Sequence, residues 1–336
     1  MRQARKLVLY ALVGVSWFVA RPCAAATPEK IKVTMAASSV NYAPYLVAID
    51  KGYFKDEGFD VEIVKAGGGT ATPALISGSV DFSTSGSAAV SAILRGAPLR
   101  VIFYPWDRID YQIWASDPAI KTIQDLKGKA IGIISRGDTL EIAIRIVLLR
   151  HGMDPNGVSY TPLGFGPGRM AAISAGTLPA VLLAPIDVDQ LKDAGKLGNA
   201  HMIYDTYDKV KMPLTGTAVS AATLQNEPAR VKRFVRAVAK GLAYSAAFRD
   251  ATVSIMERYN KGASPKTILA TYQHTLGTRT NDGSIPEELQ RQEATMRAEL
   301  IGVAKDKIPP LDQIYDFRIA KEVGRELMAE HWKPSP

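Results

Sequence analysis

Short apolar runs alternate with helical patterns along the first two hundred residues of the chain. Patterns typical of helices lie at 44–51, 73–76, 88–94, 139–151 and 170–175. Runs typical of buried strands lie between them, at 31–36, 59–64, 80–83, 99–104, 130–134, 158–163 and 180–184. Strands that alternate with helices in this way predict an α/β fold with helices on both faces of each sheet.

The last hundred residues are mostly helical in pattern. Asn226, placed before Glu227-Pro228, is a good start signal for a long helix. Apolar residues follow at the spacing of one helix face, as Val231, Phe234, Val235, Val238 and Leu242. We interpret this stripe as core packing, and a surface for a partner is the alternative.

A weak internal repeat links two distant parts of the chain. Segment 74–81 resembles segment 172–179, and each is followed by a strand, a helix and a glycine, which is Gly96 in one copy and Gly195 in the other. Two copies of one βαβ-type unit predict two similar lobes. We expect the lobes to meet in a cleft.

The first 26 residues have the pattern of an export signal. Arg2, Arg5 and Lys6 precede the uncharged apolar stretch 7–20, and the small residues 24–26 follow shortly after it. This pattern predicts a signal peptide at 1–26 and a periplasmic protein. A membrane anchor is the alternative, but the 14 residues of 7–20 fall short of the roughly 20 that a spanning helix needs.

Removal of this segment changes the charge balance of the chain. The 336 residues include 41 Lys and Arg against 33 Asp and Glu, a net charge of +8. Four basic residues and no acidic residue lie in 1–26, which leaves 37 basic against 33 acidic side chains, or +4. This mild charge does not favour a nucleic-acid partner. Cys23 is the only cysteine and leaves with the same segment, so we expect no thiol chemistry.

The common motifs of catalysis and cofactor binding are absent from the sequence. It contains no H-E-x-x-H and no G-x-S-x-G. The segment 67–70 lacks the Lys-Ser/Thr ending of a P-loop, and Arg169 stands where a dinucleotide fingerprint begun at Gly164 needs its third glycine. The four histidines show no metal-ligand spacing. We therefore expect no enzymatic activity, no cofactor and no metal.

Hydroxyl and glycine residues recur where a predicted strand gives way to a helix. Such junctions offer free backbone amides, hydroxyl donors and the positive end of a helix dipole, which together can hold a small ligand. Ordinary helix capping is the alternative for any one junction. Four junctions supply candidate ligand-binding residues: Ser38, Ser39, Asn41, Thr70, Ser85, Gly86, Ser87, Gly137, Asp138 and Thr139.

Aromatic residues lie close to this chemistry. Tyr42 and Tyr45 flank the first junction, and Tyr104, Trp106 and Tyr111 cluster further along the chain. Rings that face a cleft would stack on a heterocycle or an aromatic acid. Packing in the core or between the lobes is the alternative. We include Tyr42 and Trp106 among the candidate ligand-binding residues.

Five segments of the chain together form a recognisable pattern. They are Pro44-Tyr-Leu-Val-Ala-Ile-Asp-Lys-Gly-Tyr-Phe-Lys-Asp-Glu-Gly-Phe-Asp-Val61, Ala74-Leu-Ile-Ser-Gly-Ser-Val-Asp-Phe82, Arg95-Gly-Ala-Pro-Leu99, Ile123-Gln-Asp-Leu-Lys-Gly-Lys129 and Pro228-Ala-Arg-Val-Lys-Arg-Phe234. In order and spacing, over roughly residues 31–250, they resemble the solute-binding proteins of nitrate/sulfonate/taurine-type ABC importers. This family also includes binders of thiamine-pyrimidine precursors.

The resemblance implies a periplasmic-binding-protein fold of type II, with two α/β lobes, two crossovers and a ligand cleft between the lobes. Lobe one would comprise 27–114 plus 218–336, and lobe two 115–217. The lobes of such proteins close on a small-molecule ligand, and the closed form docks on the permease subunits of an ABC importer. The resemblance places ligand contacts on residues of the four junctions, and we expect a monomer.

Two departures from the family pattern bear on the ligand. Asp138 follows Gly137 where the family often has Ser or Thr, and its carboxylate would repel an anion unless Arg136 offsets it. Pro179 replaces a usual Asp, which could affect the nearby Asp187, and we therefore add Asp187 to the candidate ligand-binding residues.

The sequence thus predicts a substrate-binding protein of an ABC importer for a small organic solute that is sulfonate-, pyrimidine- or aromatic-acid-like. An enzyme on the same fold, similar to thiamine-pyrimidine synthases, is one alternative. Those enzymes carry a cysteine-rich motif, which the chain lacks once Cys23 is removed. A ligand-sensing receptor that feeds a signalling protein is the other alternative, and it would have the same sequence features.

Overall fold

A computed structural model gives the structure of the protein and describes residues 27–36, 39–164, 166–207, 209–260 and 263–335. The predicted signal peptide lies outside these residues. Within them the chain forms ten strands: β1 (Glu29–Thr34), β2 (Phe59–Val64), β3 (Phe82–Ser83), β4 (Leu99–Phe103), β5 (Gln112–Ala115), β6 (Ala130–Ile133), β7 (Ser159–Pro162), β8 (Ala180–Leu183), β9 (His201–Asp205) and β10 (Thr217–Ser220).

Helices fill most of the remaining chain. They are α1 (Ala43–Asp50), α2 (Tyr53–Asp56), α3 (Gly68–Ile76), α4 (Gly86–Ile93), α5 (Thr139–Arg150), α6 (Pro167–Ser174), α7 (Pro185–Asp193), α8 (Ala221–Asn226), α9 (Pro228–Ala247), α10 (Arg249–Tyr259), α11 (Pro265–Leu276), α12 (Glu287–Leu300) and α13 (Arg318–Ala329). Among the residues that the structure describes, no helix has the length and apolar character needed to cross a membrane.

The strands form two sheets with the same topology. The first has the order β2-β1-β3-β10-β4, and the second has the order β7-β6-β8-β5-β9. The first three strands of each sheet are parallel, whereas the fourth is antiparallel to both of its neighbours. Strands β1 to β4 therefore correspond to β6 to β9, as the internal repeat predicts.

The structure also explains why a glycine follows each copy of the internal repeat. Segments 74–81 and 172–179 lead into β3 and β8, which hold the same position in their sheets. Gly96 follows α4 with φ +92°, and Gly195 follows α7 with φ +64°. This left-handed conformation is strained for residues with a side chain, so both copies of the turn favour glycine.

The chain passes twice between the sheets. It leaves the first sheet after Phe103 and enters the second at Gln112, and it returns between Asp205 and Thr217. The predicted lobe boundaries at 114/115 and 217/218 instead divide strands β5 and β10. Each of these strands begins to pair before the predicted boundary. Gln112 already lies opposite Leu183 in the second sheet, and Thr217 already lies opposite Phe103 in the first.

The predicted long helix is α9, and its apolar stripe faces the core. Val231, Phe234, Val235 and Val238 are fully buried. Helix α9 packs against α1, and a Cβ atom on Gly241 would overlap the carbonyl oxygen of Pro44. The absence of a side chain at Gly241 therefore sets how closely the two helices approach. The stripe is core, in agreement with the interpretation from the sequence.

The remaining predicted elements differ from the observed ones chiefly at their ends. The helix predicted at 73–76 is longer in the structure, where α3 begins at Gly68 and contains Pro73 in its interior. The strand predicted at 80–83 is shorter in the structure, where only Phe82–Ser83 pairs with β1 and β10. The C-terminal helices contact both halves of the molecule, with α11 against α7 and α12 against α4 and α5.

Candidate functional site

A cavity of about 480 Å³ lies between the two sheets. Several of its walls are loops that follow the carboxyl ends of parallel strands, where α/β folds generally place ligand sites. Thr84 and Ser85 follow β3, Ile134 follows β6, and Ala184 follows β8. The volume falls within the range of roughly 300–1,000 Å³ that is typical of small-molecule sites.

The cavity brings together about half of the predicted ligand-binding residues. The predicted residues that line the cavity come from both halves of the molecule. They are Ser39, Asn41, Tyr42, Ser85, Asp138, Thr139 and Asp187. Ser38 lies outside the described residues. Contact with a ligand stays a prediction for all of them.

Ser87 and Trp106 do not line the cavity, because each contacts other parts of the protein. The Ser87 side chain is fully buried, and its hydroxyl lies 2.6 Å from Glu293 Oε1 and 2.7 Å from the carbonyl oxygen of Pro213. Trp106 is also buried, and its indole N–H donates to the carbonyl oxygen of Asn41 at 2.7 Å. Trp106 thus holds a lining residue in place without reaching the cavity itself.

Thr70, Gly86 and Gly137 likewise lie away from the cavity. The Thr70 hydroxyl is exposed and donates back to its own helix start. The Gly86 amide donates to the carbonyl oxygen of Gly216 at 2.6 Å. The Gly137 amide donates to a carboxylate oxygen of Glu141 at 2.7 Å. Local backbone geometry explains the two glycines, because Gly137 has φ +73° and a Cβ atom on Gly86 would lie 2.7 Å from the carbonyl group of Gly216.

Asp138 caps helix α5 at the cavity wall. Its Oδ1 accepts from the backbone amides of Leu140 at 2.9 Å and Glu141 at 2.8 Å, and its Oδ2 accepts from the amide of Ser135 at 3.0 Å. Burial raises the pKa of this carboxyl to about 6, and the three amides offset part of the shift. Asp138 is therefore mostly ionised at neutral pH.

A buried ion pair lies on the same side of the cavity. Arg169 Nη2 donates to Asp187 Oδ2 at 3.2 Å, and both residues are almost completely buried. The guanidinium also donates to the carbonyl oxygens of Gly164 and Leu182. Sequence reasoning noted Arg169 only as a break in a nucleotide motif, because its partner lies 18 residues further along the chain.

Apolar and aromatic side chains complete the wall, and sequence reasoning missed most of them as site residues. Those that line the cavity are Tyr111, Ile134, Leu140, Met170, Ile186, Leu214 and Tyr259. Tyr259 and Asn260 come from the end of α10, a helix with no junction motif. No local pattern marks such residues, since only the tertiary fold brings them to the cleft.

Asp110 is buried behind the cavity wall. Its Oδ2 accepts from the Thr275 hydroxyl at 3.1 Å, and the Asn41 side chain also contacts the carboxyl group. Burial raises the pKa of this carboxyl to about 7, although the bond from Thr275 favours the ionised form. The folded state therefore holds a proton on Asp110 that the unfolded chain releases near pH 4.

The titration of Asp110 predicts that the protein loses stability as the pH rises from about 5 to 8. Between these values the folded state binds more protons than the unfolded state, so its free energy of unfolding falls with pH. Asp110→Asn should remove this contribution, about 2 kcal/mol between pH 5 and 7. Urea unfolding at both pH values measures it, with exposed Asp60→Asn as control. Equal losses in wild type and Asp110→Asn would contradict the prediction.

The glycine segment 67–69 lies where one side of the cleft contacts the other. A Cβ atom on Gly68 would lie 2.6 Å from Cβ of Ala88 and 3.3 Å from Cα of Asp138. A Cβ atom on Gly69 would overlap the carbonyl oxygen of Arg136. The glycines therefore let helix α3 approach the loop before α5, and this is a role that the ligand-binding interpretation of the junction did not include.

Within the part of the chain that the structure describes, no group of three or more His, Cys, Asp or Glu side chains could hold a metal ion. Cys23, the only cysteine in the sequence, lies outside that part. What the cavity does offer is hydrogen bonding, stacking and two carboxylates.

Comparison with known proteins agrees with this geometry. Riboflavin-binding protein RibY of Chloroflexus aurantiacus is 29% identical over 244 residues, which cover 69% of this chain and 67% of RibY. A solved structure from Bordetella bronchiseptica RB50 superposes with a TM-score of 0.77 at 20% identity, covering 89% of this chain and 98% of that one. The periplasmic nitrate-binding protein NrtA of Synechocystis PCC 6803 superposes with a TM-score of 0.69 at 16% identity, covering 92% of both chains.

These similarities confirm the predicted periplasmic-binding-protein fold and the resemblance noted in the sequence. The named relatives bind solutes, and neither is named as an enzyme. The profile of the family described as "NMT1/THI5 like" matches residues 39–251, which is more than half of the chain. The chain belongs to the NMT1/THI5-like family.

Proposed function

We propose that the protein is the solute-binding component of an ABC importer, which captures a small organic molecule in the periplasm and delivers it to a membrane permease. The observation that carries this proposal is the cavity of about 480 Å³, whose walls come from both sheets. A ligand held by both sides stabilises their contact, and that coupling lets a permease distinguish the loaded protein.

The chemistry of the cavity favours binding over catalysis. Its buried charged side chains are held in place, Asp138 by backbone amides and Arg169 and Asp187 by each other. Fixed groups of this kind hold a ligand in one orientation. The relative RibY is named for riboflavin, so riboflavin is the first compound to test, next to pyrimidines, aromatic acids, aliphatic sulfonates and nitrate.

A thermal-shift screen of the purified full-length protein tests the proposal. A compound that binds the folded state at about 100 times its Kd should stabilise it by about 2.7 kcal/mol, which raises the melting temperature by several degrees. Isothermal titration then gives the stoichiometry, which we expect to be one. Absence of any shift, or consumption of a compound by the protein, would contradict a solute-binding role.

Ser85→Trp provides the site-specific arm of this experiment. Ser85 lines the cavity and is 9% exposed, so an indole there fills space that a ligand needs. We expect the thermal shift of any hit to disappear. Ser159→Trp, in the exposed position of edge strand β7, is the matched control and should retain the shift. Retained binding in Ser85→Trp would place the ligand elsewhere.

A further inference from the structure

The amides at the start of helix α5 are already occupied by carboxylates of the chain itself. A helix start normally attracts anions, because its backbone N–H groups lack partners and carry the positive end of the dipole. Here the amides of Leu140, Glu141 and Ser135 donate to Asp138. The amide of Gly137 donates to Glu141 at 2.7 Å.

The start of helix α7 is occupied in the same way. The Ala184 amide donates to Asp187 Oδ2 at 3.1 Å, and the same oxygen accepts from Arg169. Asp187 supplies the counter-charge of Arg169, whose guanidinium also donates to two carbonyl oxygens, so this pair adds no net charge to the wall. Among the described lining residues the other cation is Lys65, which is exposed.

An acceptor in the wall still lacks a donor. Asn41 lines the cavity and is 6% exposed, and its Oδ1 has no hydrogen-bond partner among the described residues. An unsatisfied buried acceptor is costly, and a ligand N–H or O–H group would remove that cost. The buried charged groups of the described wall are two carboxylates, Asp138 and Asp187, and one guanidinium, Arg169, so the net charge next to the aromatic rings of Tyr42 and Tyr111 is negative.

On the basis of the proposed function, we propose that this cleft selects against anions and takes an uncharged or cationic organic ligand that carries N–H or O–H donors. An anion in the buried part would lose its water next to Asp138, a carboxylate with no cationic partner in an ion pair among the described residues, and the helix-start amides of Leu140, Glu141 and Ala184 are already engaged. A donor-bearing ligand would instead satisfy Asn41, and a cationic one would also meet the complementary charge of Asp138.

Asp138→Ser isolates the role of the carboxylate. Serine is as good a helix cap as aspartate, so the fold should persist, while the charge leaves and the start of α5 becomes available to an anion. Asp138→Asn removes the charge at nearly constant shape and serves as a second variant. Asp154→Ser is the matched control, because Asp154 caps a short 3₁₀ turn at the surface of the same half of the molecule.

Inorganic sulfate is the first probe, and it requires no knowledge of the natural ligand. Thermal shifts are measured near pH 7.5 in sulfate and in sodium chloride of equal ionic strength. Wild type and Asp154→Ser should show no sulfate-specific shift, whereas Asp138→Ser should show one. A sulfate-specific shift in wild type as large as that in Asp138→Ser would overturn the proposal.

Matched organic pairs are the second probe: riboflavin with riboflavin 5′-phosphate, nicotinamide with nicotinate, and benzylamine with benzenesulfonate. For any pair that binds, wild type should prefer the uncharged or cationic member by about 100-fold, and Asp138→Ser or Asp138→Asn should reduce that preference about tenfold or more. Tighter binding of an anionic member to wild type would overturn the proposal. A sulfate-specific shift in Asp138→Ser but not in wild type, with no binding of any organic compound, would separate the two proposals. It would support the charge selectivity of the cleft and count against the proposed solute-binding function.

Discussion

Replacing Arg297 with Met is expected to lower the free energy of unfolding by about 3–5 kcal/mol, because the change leaves a carboxylate buried without its counter-charge. Arg297 and Glu293 lie one turn apart on α12, are both fully buried, and are joined by a bond of 3.0 Å. The Glu293 carboxylate also accepts from the hydroxyls of Tyr104 at 3.1 Å and Tyr315 at 3.0 Å.

This cluster connects helices α4 and α12 with the chain segment that returns to the first sheet. Arg297 donates to the Ser87 hydroxyl at 2.6 Å and to the Ser91 hydroxyl at 3.2 Å, and the Ser87 hydroxyl lies 2.7 Å from the carbonyl oxygen of Pro213. Loss of the guanidinium therefore also leaves two buried hydroxyls without a donor. The unpaired carboxylate and the two unsatisfied hydroxyls both destabilise the folded state.

Helix α12 itself supplies the matched control. Arg291 and Glu287 form a pair with the same i, i+4 spacing at 2.6 Å, but both side chains are largely exposed. Arg291→Met should change the free energy of unfolding by no more than about 0.5 kcal/mol. Urea unfolding measures all variants, and equal effects at Arg297 and Arg291 would contradict the buried-pair argument.

The double variant Glu293→Leu/Arg297→Met separates the charge from the packing. Once both charges are removed, no uncompensated ion remains, so the loss of stability should be smaller than that of Arg297→Met alone. If the double variant is instead as unstable as the sum of its two single variants, the two side chains contribute independently and the ion pair is not the cause.

The alternation of strands and helices could be predicted from the sequence because its signals are local. Strand and helix periodicity follows from which face of each element is buried, and the repeat around Gly96 and Gly195 follows from a backbone conformation that favours glycine at both turns. The resemblance to solute-binding proteins rests on such local segments, and the family profile confirms it.

The candidate site could be predicted only in part, because the direction of a side chain depends on its distant neighbours. Ser85 and Ser87 stand two residues apart at one junction and carry the same chemistry. Ser85 faces the cavity, whereas Ser87 faces Glu293, which is 206 residues away in the chain. Successive helix positions point about 100° apart, and no local pattern indicates which of them meets the cleft.

Replacing Gly69 with Ala is expected to weaken ligand binding by about 10- to 100-fold. Gly69 lies in the first turn of α3, and its φ is not in the left-handed region. Alanine therefore fits the helix and forms it better than glycine. The added Cβ atom nevertheless overlaps the carbonyl oxygen of Arg136 on the opposite side of the cleft.

The two effects of Gly69→Ala act on different equilibria, and this makes the contact testable. Alanine favours α3 in any arrangement of the cleft, whereas the overlap with Arg136 destabilises the arrangement of this structure, in which the two sides touch. We expect a bound ligand to require that contact, so its affinity should fall. Gly157→Ala adds the same methyl group where no atom lies within 4 Å, and it should bind like wild type. Calorimetric titration with the strongest compound of the screen gives the affinities, and small-angle scattering gives the change in radius of gyration. If Gly69→Ala binds and compacts like wild type, the glycine contact does not limit closure, and segment 67–69 serves only to start helix α3.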